Sequence, residues 1–258
     1  MAFAATWLAL REPADRAARD QTLLGQAIQA AGPSPVVLDL GCGTGSTVRT
    51  LRPLLPETTE WRLVDNDQEL LDIAASAVPS SSVHLLDILD TASLPLDGVT
   101  LVTCSALLDL VTESWLRELA ASLRVPFYAA LSYDGFMKWE PELPLDHAVT
   151  EAFNRHQRRD KGLGPALGPD SSARTTAVFE SLGWRTEVAT SNWQLGPDSE
   201  ALQVALVEGI GQAASEAGEA GATEWAEQRV AAAPHSACVI GHADILATPP
   251  PEDSHALR

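Results

Sequence analysis

Residues Val36-Val37-Leu38-Asp39-Leu40-Gly41-Cys42-Gly43-Thr44-Gly45 run from a short apolar stretch, through an acid, into three glycines at alternate positions. An apolar run of this length, rich in branched residues, suits a buried strand of a parallel sheet. Alternating glycines suit a tight turn in which backbone, not side chain, approaches a ligand. The residues that follow, Ser46 to Leu55, read as a helix, so the turn lies at a helix N-terminus. Strand, glycine turn and helix form the βα unit of nucleotide-binding sheets.

The residues around the turn narrow the ligand. A dinucleotide fingerprint needs a third glycine where this chain has Ser46, and no Gly-Lys-Ser/Thr follows to make a phosphate-cradling loop. Asp39, just before the first glycine, would repel phosphate and suits a cationic or amine-bearing ligand. S-adenosylmethionine has a sulfonium, an α-amino group and no phosphate. Asp39-Leu40-Gly41-Cys42-Gly43-Thr44-Gly45 resembles the first motif of class I S-adenosylmethionine-dependent methyltransferases. The resemblance implies that Asp39, Gly41, Gly43 and Gly45 bind that cofactor.

Two further acids extend the pattern. Trp61-Arg62-Leu63-Val64-Asp65 reads as a second strand ending in a carboxylate, which can accept hydrogen bonds from both ribose hydroxyls, with Asn66 beside it. Val83-His84-Leu85-Leu86-Asp87 reads as a third strand with the same ending. By resemblance, Asp87 and its successor Ile88 bind the adenine edge.

The fold expected is α/β: a doubly wound, Rossmann-like, seven-stranded sheet, mostly parallel with one antiparallel strand and helices on both faces. Residues 1–34 form an N-terminal helical cap, with 2–31 read as one helix that either covers the cofactor cleft or packs on the sheet. Residues 35–134 form the cofactor-binding half, in which the fourth strand is Val99 to Thr103, Glu113 to Leu123 is a helix, and the fifth strand runs from about Pro126 to Ser132. Residues 135–170, rich in proline and glycine, read as an inserted substrate lid containing a helix near Leu145 to Gln157. Residues 171–248 complete the sheet, with helices at Ser171 to Leu182, Ser199 to Ala217 and Thr223 to Ala232, a sixth strand Trp184 to Asn192 and a last strand Cys238 to Ala247 beside it. The tail, 249–258, is expected to be disordered.

The acceptor must come from outside the motif. The loop after the fourth strand, Thr103-Cys104-Ser105-Ala106-Leu107-Leu108-Asp109, lies by resemblance along the methionine part of the cofactor, which implicates Ser105. Asp109 is either the group that orients or deprotonates an acceptor or a polar break before the next helix. The loop lacks the Asn/Asp-Pro-Pro-Tyr/Phe of exocyclic-nitrogen methyltransferases, and its Thr-Cys-Ser follows the fourth strand, not the fifth as in RNA cytosine-carbon methyltransferases, so Cys104 reads as a packed thiol. Tyr133 and Asp134 close the fifth strand and are candidates for catalysis and substrate contact, although Asp134-Gly135 is also a common turn pair. Asn154-Arg155-His156-Gln157-Arg158-Arg159-Asp160-Lys161-Gly162 concentrates cations in an acidic chain. Arg155 and Lys161 could clamp an anionic substrate, and His156 could serve as general base, while Arg158 and Arg159 suit a solvated helix end whose cations complement the helix dipole.

Composition bears on the acceptor as well. With 17 basic and 35 acidic residues the formal charge is −18, which repels polyanions and disfavours a nucleic-acid substrate. Cys42, Cys104 and Cys238 are odd in number and far apart, as for reduced thiols in a cytoplasm. No apolar run is long enough to span a membrane, and no basic-then-apolar leader opens the chain. These features point to a cytoplasmic methyltransferase acting on an O or N atom of a small, anionic molecule, with no metal. The alternatives are an RNA or protein methyltransferase, and a non-catalytic cofactor-binding partner of another enzyme.

Overall fold

The computed structural model describes residues 4–78, 81–160 and 164–251. Lys161 and residues 252–258 of the tail therefore lie outside the described residues. Two helices come first, α1 (Ala5–Ala18) and α2 (Gln21–Ala30), followed by β1 (Val36–Leu40), α3 (Ser46–Leu51), β2 (Glu60–Asp65), α4 (Gln68–Ala77), β3 (Ser82–Leu85) and β4 (Leu101–Ser105). Then come α5 (Glu113–Ser122), β5 (Phe127–Glu140), α6 (Asp146–Gln157), α7 (Ser171–Ser181), β6 (Arg185–Thr190), β7 (Trp193–Leu195), α8 (Glu200–Glu216), α9 (Ala222–Ala232) and β8 (Ala237–Thr248).

The sheet runs β3-β2-β1-β4-β5-β8-β6, with β7 also paired to β8. β1 to β5 pair in parallel, and β8 runs antiparallel to β5, β6 and β7. The chain reverses its direction of travel between β1 and β4, and in an open sheet that point leaves a crevice beyond the strand ends. One face of the sheet is covered by α2, α3 and α4, packed through Leu23, Leu24, Val48, Leu51, Leu71 and Ala74. The other is covered by α5 and α7, through Trp115, Leu116, Leu119, Val178 and Phe179. No helix among the described residues is long and apolar enough to cross a membrane.

Three elements differ from the sequence expectation. The N-terminal helix is two helices, because Arg19 and Asp20 are extended and the Asp20 side chain caps α2 by accepting from Leu23 N at 2.7 Å. Asp134-Gly135 is not a turn that ends β5. Asp134 Oδ1 accepts from Phe136 N, Gly135 takes φ +92°, and the strand shifts register and continues to Glu140. It can continue because β8 is twelve residues long and pairs Ala237 to Ile240 with Glu140 to Met137. Among the described residues the strands number eight, not seven, because the same overhang of β8 recruits β7 through Trp193, Gln194 and Leu195.

A third apolar cluster forms around that overhang, where α1, α6, α8 and α9 meet β5, β7 and β8. Its polar anchor is Asp146 at the start of α6. Arg229 of α9 donates to both carboxylate oxygens, Trp225 Nε1 donates at 2.7 Å and Leu143 N at 2.7 Å. Arg229 is fully buried, also donates to Pro141 O, and lies over the Trp139 ring. Removing one member of such a pair leaves an uncompensated buried charge. Asp146→Ala is expected to cost about 3–5 kcal/mol in urea unfolding, whereas the double change Asp146→Leu with Arg229→Met recovers most of that loss.

Candidate active site

The glycine turn is built as its residues require. Gly41, Gly43 and Gly45 all have positive φ, at +63°, +52° and +85°. Their backbones are held by Cys42 N donating to Val64 O at 3.0 Å and Gly45 N donating to Cys42 O at 2.8 Å. At Gly43 the constraint is also steric, since a Cβ there would lie 3.1 Å from Leu8 Cδ1 of α1. Gly43 N in turn donates to Asp65 Oδ2 at 2.8 Å, so the acid at the end of β2 is fastened to the turn. Asp67 N donates to Asp65 Oδ1, leaving lone pairs on both oxygens for a ligand.

Beyond the ends of β1, β2 and β4 lies a cleft of about 220 Å³. Its floor is Gly41, Cys42, Gly43, Thr47 and Ser105, with Asp65, Asn66, Asp87 and Ile88 along one side. Leu107, Leu110 and Val111 form an apolar wall, and Leu8, Arg11 and Asp15 of α1 close the other side. Ala106, at the end of β4, holds φ +50°, a conformation that costs a non-glycine residue energy and turns the chain into this wall.

Two ionic groups hold α1 over the cleft. Arg49, in the helix after the glycine turn, donates to the Thr44 carbonyl and to both oxygens of Glu12, at 2.7 and 2.5 Å. This pairing holds the Glu12 carboxyl below the usual carboxylate range. Arg11 grips Asp15 with two hydrogen bonds, and Trp193 Nε1 of β7 donates to the same carboxylate at 3.0 Å. Arg11 also stacks over the Trp193 ring at 5.0 Å.

Asp39 lies beneath the floor, fully buried, and accepts from Thr103 Oγ1 at 2.8 Å. Its Oδ2 has no partner among the described residues. Burial pushes its pKa up to about 7, with the Thr103 hydroxyl and the Arg19 guanidinium opposing the rise. Burial also raises Asp65, while its backbone donors lower it. A cationic group placed over this floor would favour both carboxylates, which is the complementarity a sulfonium- and amine-bearing cofactor requires.

Residues 37–125 match the family model of a methyltransferase domain. This part of the chain carries a methyltransferase domain. The fold agrees over nearly its whole length. A protein of Bacillus halodurans C-125 assigned to the methyltransferases superposes with a TM-score of 0.53 at 14% identity, covering 89% of this chain and 99% of that one. A mycolic acid cyclopropane synthase, crystallised with S-adenosylhomocysteine and CTAB, superposes with a TM-score of 0.50 at 13% identity, covering 88% and 83%. No curated protein matches the sequence. The methyltransferase family draws its methyl group from S-adenosylmethionine, so this enzyme is an S-adenosylmethionine-dependent methyltransferase.

In this methyltransferase the sequence-predicted residues fall into two groups. Gly41, Gly43, Asp65, Asn66, Asp87, Ile88 and Ser105 line the cleft, while Asp39 and Gly45 support it from behind. Asp109, Tyr133, Asp134, Arg155 and His156 do not line it. The Asp109 carbonyl accepts from Gly168 N, and the Tyr133 hydroxyl donates to Asn154 Oδ1 at 2.8 Å. Burial raises the Tyr133 hydroxyl far above its ordinary range. Asp134 is exposed, and so is Arg155 on α6. His156 Nε2 lies 3.0 Å from Glu216 Oε2, Arg158 pairs with Asp170, and Arg159 donates to the Glu216 carbonyl. Among the described residues no group of three or more His, Cys, Asp or Glu is arranged to hold a metal.

Sequence reasoning missed Leu8, Arg11 and Asp15, the contribution of α1 to the cleft. The available signal was Arg11 and Asp15 at i and i+4, but such a pair commonly decorates a solvated helix face. The pH dependence of stability provides a test of the buried floor. A carboxyl raised in the fold is bound to a proton there at pH values where the unfolded chain has released it. Stability is therefore lost as pH rises from about 4 to the folded value of about 7. His242, buried and lowered to about 3, gives the opposite slope below about 6.5. The prediction is therefore a difference: ligand-free Asp39→Asn gains stability over wild type on the order of 4 kcal/mol at pH 8 and little at pH 4, measured by urea unfolding.

Proposed function

We propose that the enzyme methylates an O or N atom of a small, anionic acceptor. The observation that carries this reading is the position of α1. Leu8, Arg11 and Asp15 of α1 line the cleft together with Gly43 and Ser105, so the acceptor has to enter a walled cleft rather than lie on an open face. A formal charge of −18 further disfavours a nucleic-acid strand as acceptor. Arg11 is the cation on the cleft wall that an anionic acceptor would meet, sharing its guanidinium with Asp15, whereas Arg158, Arg159 and His156 bond Asp170 and Glu216 away from the cleft.

In this reading Asp65 accepts from the ribose, Asp87 and Ile88 meet the adenine edge, and Asp39 with Gly41, Gly43, Gly45 and Ser105 shapes the methionine end. Bound S-adenosylmethionine supplies an electrophilic methyl on a sulfonium. The protein's contribution is alignment: the glycine turn permits close approach, and α1 excludes water and limits the approach direction of the acceptor. A base is required only for an acceptor that arrives protonated. Asp109, His156 and Tyr133 are the candidates from sequence for that step, and Asp15 is a carboxylate already on the cleft wall.

Asp65→Ala tests the cofactor assignment. Losing a charged acceptor of two hydroxyl hydrogen bonds should weaken S-adenosylhomocysteine binding roughly 100-fold in calorimetry. Wild-type affinity in the variant would discard the assignment. Incubating metabolite pools with methyl-labelled cofactor should transfer label to an anionic small molecule. Label appearing only in RNA or protein would replace this acceptor class.

A further inference from the structure

Arg19, in the break between α1 and α2, is a buried cation whose hydrogen-bonding capacity is mostly unspent. Its side chain belongs to a residue only 2% exposed, and its Nη2 donates to Ser105 Oγ at 2.7 Å. Ser105 Oγ also lies 3.0 Å from Thr47 Oγ1, and both of those residues line the cleft. Nε and Nη1 of Arg19 have no partner among the described residues. Neither nearby acid pairs with it: Glu12 is held by Arg49, and Asp39 bonds Thr103 through Oδ1 while its Oδ2 has no partner among the described residues. The Tyr128 hydroxyl stands near the guanidinium but gives its proton to Asp244, so it offers only a neutral oxygen.

A guanidinium cannot shed its charge, so burial without an anion is costly in a way that no protonation change relieves. The second hydrogen of Nη2 forms, with its neighbour Nε–H or Nη1–H, a planar fork of the kind that matches a carboxylate. We infer that Arg19 is the receptor for a ligand carboxylate at the methionine end of the cleft. The carboxylate belongs either to the amino-acid end of the cofactor or to the acceptor; the chemistry at Arg19 is the same. This inference rests on the cofactor reading above and adds to it a recognising residue outside every sequence motif.

Calorimetry with three probes tests it: S-adenosylhomocysteine, its decarboxylated analogue, and 5′-methylthioadenosine, which lacks the whole amino-acid end. If the cofactor supplies the carboxylate, wild type should prefer S-adenosylhomocysteine over the decarboxylated analogue roughly 30-fold. Arg19→Gln should bind the two alike, and Arg19→Lys, which keeps charge without the fork, should retain only part of the preference. Equal binding of 5′-methylthioadenosine to all three proteins shows that the variants keep the fold. If the acceptor supplies it, wild type shows no such preference, but acetate added to the S-adenosylhomocysteine complex raises its Tm, and does not in Arg19→Gln. Should wild type bind S-adenosylhomocysteine with neither carboxylate preference nor acetate effect, Arg19 is a structural cation and the inference falls. That comparison needs no variant to fold. A preference kept in full by Arg19→Gln overturns it too, whereas failure of S-adenosylhomocysteine to bind at all overturns the cofactor reading beneath it.

Discussion

The carboxylate of Asp244, fully buried in β8, accepts from the Tyr128 hydroxyl at 2.9 Å, from Leu131 N at 2.9 Å and from Asp20 N at 3.1 Å. These donors belong to β5 and to the residue between α1 and α2. Leu131 holds φ +58°, a strained conformation for a branched side chain, and the bond from its amide to Asp244 compensates for the irregularity it makes in the β5–β8 pairing. The Asp20 bond secures the N-terminal hinge to the sheet. From that fixed point α1 is directed back across the strand ends, where Glu12 meets Arg49 and Asp15 meets Trp193. The cleft wall thus depends on one acid far away in sequence.

The same geometry places opposite charges at low solvent exposure without joining them directly. Asp39 and Arg19 are both buried beneath the cleft floor, and each influences the other electrostatically, yet their closest hydrogen bonds go to Thr103 and Ser105. Direct pairing would satisfy both and leave nothing for a ligand. Separating them by hydroxyls keeps a cation and an anion available at neighbouring positions, at a cost to the ligand-free fold.

What the sequence made legible is what local rules control. The β1 run, the alternating glycines and the acids at the ends of β2 and β3 are each coded within a few residues, and Gly41, Gly43, Asp65, Asp87 and Ile88 accordingly lie together on the cleft. The helices from α5 to α9 followed their apolar periodicity to within a residue or two. The extension of β5 was not legible, because Asp134-Gly135 has turn chemistry and only pairing with the long β8 overrides it. The N-terminal break was coded by the Asp20 cap, but an aspartate inside a polar, alanine-rich run is a weak signal. The basic segment at 154–159 stood out by charge, and charge alone could not reveal that Glu216 and Asp170, distant in sequence, would take up its cations.

Arg19 illustrates the complementary failure. In the sequence it is one of several arginines in a helical stretch, and helix periodicity gives no reason to separate it from Arg11 or Arg16. Its distinction arises when the chain breaks after α1 and turns the side chain under Ser105, out of water. Arg16, three residues earlier, stays largely exposed and forms an i,i+4 pair with Glu12 of the kind that contributes little. Burial is what converts a common surface residue into a group that must find an anion. For this enzyme the α1–α2 break does so by bringing a permanent charge to Ser105 of the cleft floor.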